Sequence, residues 1–196
     1  EKDKTFTVIS WYGLLWGVLF AFTTAQQTIL LGKIETNILL PVTSSLSNIF
    51  TVAAGVFLFS EKLSNLEYLA TFIILSSVFL YSRKKGGLVL DAHALLFGVG
   101  IIISSTLSKI IQKSGVIHES ILQFAVYQYI GATVCAFLLV YIFERSSIRQ
   151  LYKIRETWKI SFISGFFMAI AGYALLLGLA SGPLAGVYSI ASGYTF

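Results

Sequence analysis

Seven long apolar runs, joined by loops too short to hold a folded unit, constrain this chain more than any other feature. They cover roughly 6–32, 37–60, 66–82, 92–111, 120–143, 158–180 and 183–196. Most reach the roughly 17–25 residues that a helix needs to cross a hydrocarbon layer about 30 Å thick. In lipid, every backbone N–H and C=O must be satisfied within the chain, which favours helices for uninterrupted apolar runs of this length. The expected fold class is therefore an all-α polytopic membrane protein, with consecutive helices antiparallel. Composition agrees: 56% of residues are hydrophobic and 12% charged, and the mean hydropathy is +0.82. A soluble domain carries about 25% charged residues. The single cysteine, Cys135, lies within an apolar run, so no disulfide framework is available.

Helix breakers support this division. Asn37, Gly86-Gly87 and Gly182-Pro183 mark boundaries, and Pro183 suits a first helical turn. Pro41 sits early in the second run, where it either kinks the helix or occupies its first turn. Ser64 and Asp91 read as N-caps. Residues 144–157 form the one long loop, in which apolar residues alternate with Arg145, Arg149, Lys153 and Arg155; this is an ordinary basic loop or a short interfacial helix. The start, Glu1-Lys2-Asp3-Lys4, reads as a charged loop, and the chain is expected to be a piece of a longer one. The net charge of +5 belongs to loops beside membrane spans, so nucleic acid is not an expected partner. Basic residues concentrate on the face that holds Arg83-Lys84-Lys85 and the 145–159 stretch, which the positive-inside rule assigns to the cytoplasm.

Two serine patterns recur. Ser44-Ser45-Leu46-Ser47-Asn48 lies within the second run, and Ser189-Ile190-Ala191-Ser192-Gly193 lies within the last, about 145 residues later. Membrane spans that repeat in this way are the pattern of transporters built from two halves. The stretch Phe57-Leu58-Phe59-Ser60-Glu61-Lys62-Leu63-Ser64 resembles the "GE+LS" hallmark that closes a helix in each repeat of the EamA-type transporters, in the drug/metabolite transporter superfamily. Ser181-Gly182-Pro183-Leu184-Ala185 resembles the same family's entry to its ninth helix. The resemblance implies two inverted five-helix repeats, with helices three to nine of ten present. Residues 1–85 would be the C-terminal part of the first repeat (spans three to five). Residues 86–196 would be the N-terminal part of the second (spans six to nine, the last incomplete). Proline is frequent in the family where this chain has Asn48 and Gly193. The family also keeps both termini in the cytoplasm, which would place Arg83-Lys84-Lys85 outside and opposes the charge distribution.

Polar residues inside the runs fall at helical spacing. Thr23, Gln26 and Gln27 share a face of the first run; Ser44, Ser47, Asn48 and Thr51 share one of the second. Ser104, Ser105, Ser108 and Gln112 follow in the fourth run; Gln123, Tyr127 and Gln128 in the fifth; Tyr188, Ser192 and Thr195 in the last. Turned inward, these stripes would line a central polar cavity, with Tyr127, Tyr173, Tyr188 and Tyr194 as aromatic walls. The expected substrate-binding set is Gln26, Gln27, Ser44, Ser47, Asn48, Ser104, Ser105, Tyr127, Gln128, Tyr173, Tyr188 and Ser192. Against this stands the plainer reading, in which Ser and Thr bond back to their own helices or hold neighbouring helices together. Gly13, Gly17, Ala21 and Ala25 recur every fourth residue, as do Ser181, Ala185, Ser189 and Gly193, and both lanes read as close helix packing.

No span interior is expected to hold a charged residue; Lys109 is placed a turn from its helix end, where it can snorkel. Asp91-x-His93 is a weak metal pair and reads as capping, and His118-Glu119 is a loop pair without a visible partner. No serine has a histidine or carboxylate at membrane depth to activate it, so an intramembrane enzyme is disfavoured. No nucleotide-binding loop or other cofactor pattern is present. The expectation is a multi-pass protein of the plasma (inner) membrane that moves a small organic metabolite or drug by alternating access, with efflux the commoner direction in the resembled family. The alternatives are a lipid or polyisoprenoid-linked flippase and a structural membrane protein. Its partners would be a small-molecule substrate and membrane lipids, with a homodimer left open.

Overall fold

A computed structural model describes residues 9–32, 36–62, 92–143, 155–184 and 186–188, with isolated positions between 64 and 76. Five long helices account for nearly all of them: α1 (Trp11–Leu31), α2 (Thr36–Phe59), α3 (Ala92–His118), α4 (Ile121–Phe143) and α5 (Arg155–Ser181). Each contains a stretch long and apolar enough to cross a membrane. Among the described residues there is no strand. The expected spans at 66–82 and 183–196 lie largely outside the described residues, as do Asp91 and the 144–154 stretch.

Helix limits have local causes. Ser10 caps α1: its Oγ accepts from the Gly13 N–H at 2.9 Å, satisfying one of the free first-turn donors. Pro41 falls in the second turn of α2, not the first. α2 ends where Ser60 enters the left-handed region (φ 53°) and the Glu61 N–H returns to the Gly55 carbonyl at 3.1 Å. Ser64 opens a further helical turn, its carbonyl accepting from the Tyr68 N–H. At the other end of the chain, α5 stops at Gly182, and Pro183 starts a new turn by accepting from Val187 at 3.1 Å.

α3 differs from expectation: it runs to His118, seven residues past the expected end at 111. The run Lys113-Ser114-Gly115 looks like a terminus in sequence but stays helical. Gly115 is a packing residue, since a Cβ there would lie 2.4 Å from the Phe124 ring. The extension also gives His118-Glu119 its partners. Tyr12 stacks on the His118 ring, and the buried Glu119 carboxylate accepts from the Ser10 hydroxyl, tying the α3–α4 corner to the start of α1.

The closest helix pair is α1 with α4, and the small-residue lane makes it. Gly13, Gly17 and Ala21 are buried along one face of α1. A Cβ on Gly17 would stand 2.4 Å from the Gln128 carbonyl oxygen and the Ala132 nitrogen, and one on Gly131 would stand 2.7 Å from the Leu14 carbonyl oxygen. α1 and α4 run parallel, as do α2 and α3, whereas α1 and α3 are antiparallel. Two apolar clusters fasten the bundle: Leu30, Leu39 and Ile101 join α1, α2 and α3, and Val116, Phe124, Ala125 and Leu176 join α3, α4 and α5. Most of α5 faces outward, with Phe162, Phe166, Phe167 and Met168 exposed as lipid-facing residues would be.

Candidate functional site

The polar stripes of α2 and α3 meet near the middle of both helices, and the residue at their junction is Lys109. Within the apolar stretch Leu96–His118, Lys109 lies about 3 Å along the axis from the midpoint. The expectation that Lys109 snorkels from a helix end is therefore corrected. Because α3 continues to His118, Lys109 lies more than two turns from the helix end, inside the apolar stretch, and its ammonium is turned toward α2. It donates to Asn48 Oδ1 at 2.7 Å and to Ser47 Oγ at 3.0 Å, and its nitrogen sits 5.2 Å from the centre of the Tyr188 ring. The face of an aromatic ring carries partial negative charge, so the ring is a favourable neighbour for the ammonium.

The surrounding residues hold these ligands in place. Ser47 is fully buried; its Oγ accepts from Lys109 and donates to Ser105 Oγ at 3.0 Å. Thr51, one turn on, bonds back to the Ser47 carbonyl at 2.7 Å, and Thr106 bonds back to Ile102 at 2.8 Å. Tyr188 is buried and its hydroxyl donates to Oε1 of the buried Gln112, one turn beyond Lys109. Leu179, Leu184 and Tyr188 form an apolar floor together with Phe59, Leu175 and Val187.

One turn beyond Lys109, toward the end of α3, lies a second lysine with a complete set of partners. Lys113 donates to the Leu179 and Gly182 carbonyls at 2.9 and 2.6 Å, at the end of α5. It also pairs with Glu61 at 3.7 Å, both side chains being about nine-tenths buried (11% and 10% exposed). Glu61 Oε1 in turn accepts from the Leu184 N–H at 2.7 Å, capping the turn that follows Pro183. A bridging network thus joins the end of α2, α3 and the end of α5.

The structure divides the expected site residues into groups. Ser47, Asn48, Ser105 and Tyr188 gather around Lys109. Gln26 and Ser104 form a neighbouring polar contact along α3: Ser104 Oγ lies 3.5 Å from Gln26 Oε1 and accepts from Thr23 at 2.9 Å. Ser44 and Gln27 are half-buried, and no described contact joins them to the cluster. Tyr127 and Gln128 belong to the α1–α4 interface; Gln128 is 1% exposed there. Tyr173 is 40% exposed on α5, and Ser192 and Tyr194 lie outside the described residues. Lys109, Thr106, Gln112, Lys113 and Glu61 complete the arrangement. The signal for Lys109, Gln112 and Lys113 in the sequence is the spacing Ser105, Lys109, Gln112, Lys113, which continues the α3 polar stripe at helical intervals.

Among the described residues, no three His, Cys, Asp or Glu side chains gather as a metal site would need. Comparison of the chain with family models, with curated proteins and with solved structures returns no match.

Proposed function

We propose that this protein is a secondary transporter of the EamA type, moving a small organic solute across a membrane by alternating access around the Lys109 cluster. One observation carries the reading. The first serine pattern, through Ser47 and Asn48, and Tyr188, which adjoins the second pattern, meet at one buried charge near mid-span. Transporters built from repeats place their solute site at the midplane, between the halves, and an ionisable residue at that depth marks a pathway.

Two further features support it. α2 and α3 are parallel, an arrangement that the expected span at 66–82 would suit by returning the chain between them. Ser60 adopts the left-handed backbone at the position of the glycine in the resembled "GE+LS" hallmark, and the adjacent Glu61 bridges α2 to the turn after Pro183. In this reading the two halves are inverted repeats, seven spans are present, and Glu61–Lys113 fastens one end of the site.

The test is a thermal-stability screen of detergent-purified protein against amino acids, polyamines, quaternary amines, nucleosides, sugars and small organic acids. A solute at about 100 times its dissociation constant stabilises by about 2.7 kcal/mol. The proposal expects a stabilising solute whose effect is lost in Asn48→Ala, and uptake of that solute into proteoliposomes. A folded protein that responds to none of them, with Asn48→Ala as stable as the parent, contradicts it.

A further inference from the structure

The two lysines of α3 are satisfied in different ways, and the difference identifies a class of solute. Lys113 has a carboxylate and two backbone carbonyls around its ammonium. Lys109, one turn away on the same helix, has an amide oxygen, a hydroxyl oxygen and a ring face. None of these is an anion, and among the described residues no carboxylate pairs with it. An ammonium offers three protons, and the hydrogen bonds to Asn48 and Ser47 use two. Neutral ligands offset only part of the cost of removing a charge from water; an anion offsets more.

A second donor lies close to the ammonium, across one shared hydroxyl. Ser105 Oγ and Lys109 Nζ are each 3.0 Å from Ser47 Oγ, so they flank the same hydroxyl. Ser105 accepts from Ser47 there, and its own proton has no acceptor among the described residues. A hydroxyl and an ammonium that flank one oxygen offer a donor to each of the two oxygens of a carboxylate.

We infer that the Lys109 cluster binds the carboxylate of a small monoanionic solute, one oxygen on Lys109 Nζ and the other on Ser105 Oγ. This rests on the transport reading and names the solute class for that site. Charge balance sets the valence. Among the described residues Lys109 is the one cation of the site without an anionic partner, because Lys113 is held by Glu61 and two carbonyls, and a phosphate dianion would need a second. A cationic solute would meet Lys109 directly, and the Tyr188 ring face that would attract it already faces the ammonium. The cluster therefore suits an anionic solute better than a neutral or cationic one.

The experiment compares each acid with its own amide, which keeps shape and removes charge. The full chain is placed in phosphatidylcholine nanodiscs, so no anionic lipid headgroup competes. Lactate, butyrate and benzoate, and their three amides, are titrated to about 50 mM while thermal unfolding is followed. The inference expects at least one acid to stabilise the protein, with the amide weaker by about tenfold or more in apparent affinity. Lys109→Gln is expected to abolish the response, Lys109→Arg to retain it in part, and Ser105→Ala to weaken it. The acid–amide comparison on the unaltered protein stands if Lys109→Gln fails to fold. Equal responses to acid and amide overturn the inference, as does a flat response to all three acids. A neutral sugar or nucleoside that stabilises in an Asn48-dependent way overturns the carboxylate assignment alone and leaves the transport reading standing. If phosphatidylserine nanodiscs stabilise the protein in a Lys109-dependent way and the soluble acids do not, the anion is a lipid headgroup and the soluble-solute inference fails.

Discussion

Gly17 is where the α1–α4 packing is least tolerant, and replacing it tests that packing directly. A Cβ on Gly17 would lie 2.4 Å from the Gln128 carbonyl oxygen and the Ala132 nitrogen and 2.7 Å from the Gly131 carbonyl carbon. All three are backbone atoms of α4, so no side-chain rotation relieves the clash. Ordinary carbon contacts begin near 3.5 Å, so α1 must withdraw by about 1 Å. A gap of that size forfeits a quarter to a half of each contact along the seam, and overpacking of this kind costs typically about 1–3 kcal/mol. Alanine is the better helix former by up to about 1 kcal/mol, which offsets part of the loss. Gly17→Ala should therefore destabilise by about 1–2 kcal/mol, and Gly17→Leu by more. Gly98 and Gly165 supply the control: a Cβ at either meets nothing within 4 Å, so alanine there should be neutral or mildly stabilising. Cys135, the only cysteine and buried on α4 beside the Val18 carbonyl, is a built-in reporter. Its labelling by a thiol-reactive dye during heating reads the opening of this interface. Gly17→Ala as stable as the parent, or Gly98→Ala equally damaged, would refute the reasoning.

The bridge at the end of the site should show an order of effects. Lys113→Met leaves the buried Glu61 carboxylate without its cation and two carbonyls without a donor, and should cost about 2–4 kcal/mol. Glu61→Gln keeps an oxygen for the Leu184 N–H and should cost less, about 1–2 kcal/mol; thermal unfolding showing the reverse order would contradict this account. Ser60→Gly should be neutral to stabilising by up to about 1 kcal/mol and Ser60→Val destabilising, because the position is left-handed; equal stability for the two in the same assay would contradict it. Ser10→Ala removes both the α1 cap and the donor to buried Glu119, an expected loss of about 1–3 kcal/mol that equilibrium unfolding would measure.

Much of this architecture was legible in the sequence where hydropathy decides it. The starts and ends of α2 and α4 were placed within a residue or two, since a run of apolar residues is a direct statement of what can sit in lipid. The Gly13–Gly17–Ala21 lane was legible for the same reason: among large residues, a strict four-residue spacing of small ones marks close approach. Hydropathy also misled at α3. Lys109, Lys113 and Gly115 lower the local average, and that made an unbroken helix look as though it ended early. What keeps the segment helical is tertiary: Glu61 neutralises Lys113, Asn48 and Ser47 take up Lys109, and Phe124 fills the space beside Gly115. Periodicity identified polar faces but not their partners. Ser47 and Ser105 belong to stripes that meet, whereas Tyr127 and Gln128 belong to a stripe that packs against α1. The difference lies in which helices are neighbours, and spacing within one helix does not contain that.

Accessibility of Asn48 from the two sides of the membrane tests the central claim most directly. The variant Asn48→Cys is made in a Cys135→Ala background and reconstituted in sealed vesicles. A membrane-impermeant thiol reagent is then applied first outside and then inside, with a loop cysteine as the positive control. A solute site reached by alternating access predicts labelling of position 48 from both sides. Labelling from neither side, while the loop control reacts, would mean that the Lys109 cluster is closed packing between helices and would contradict the account.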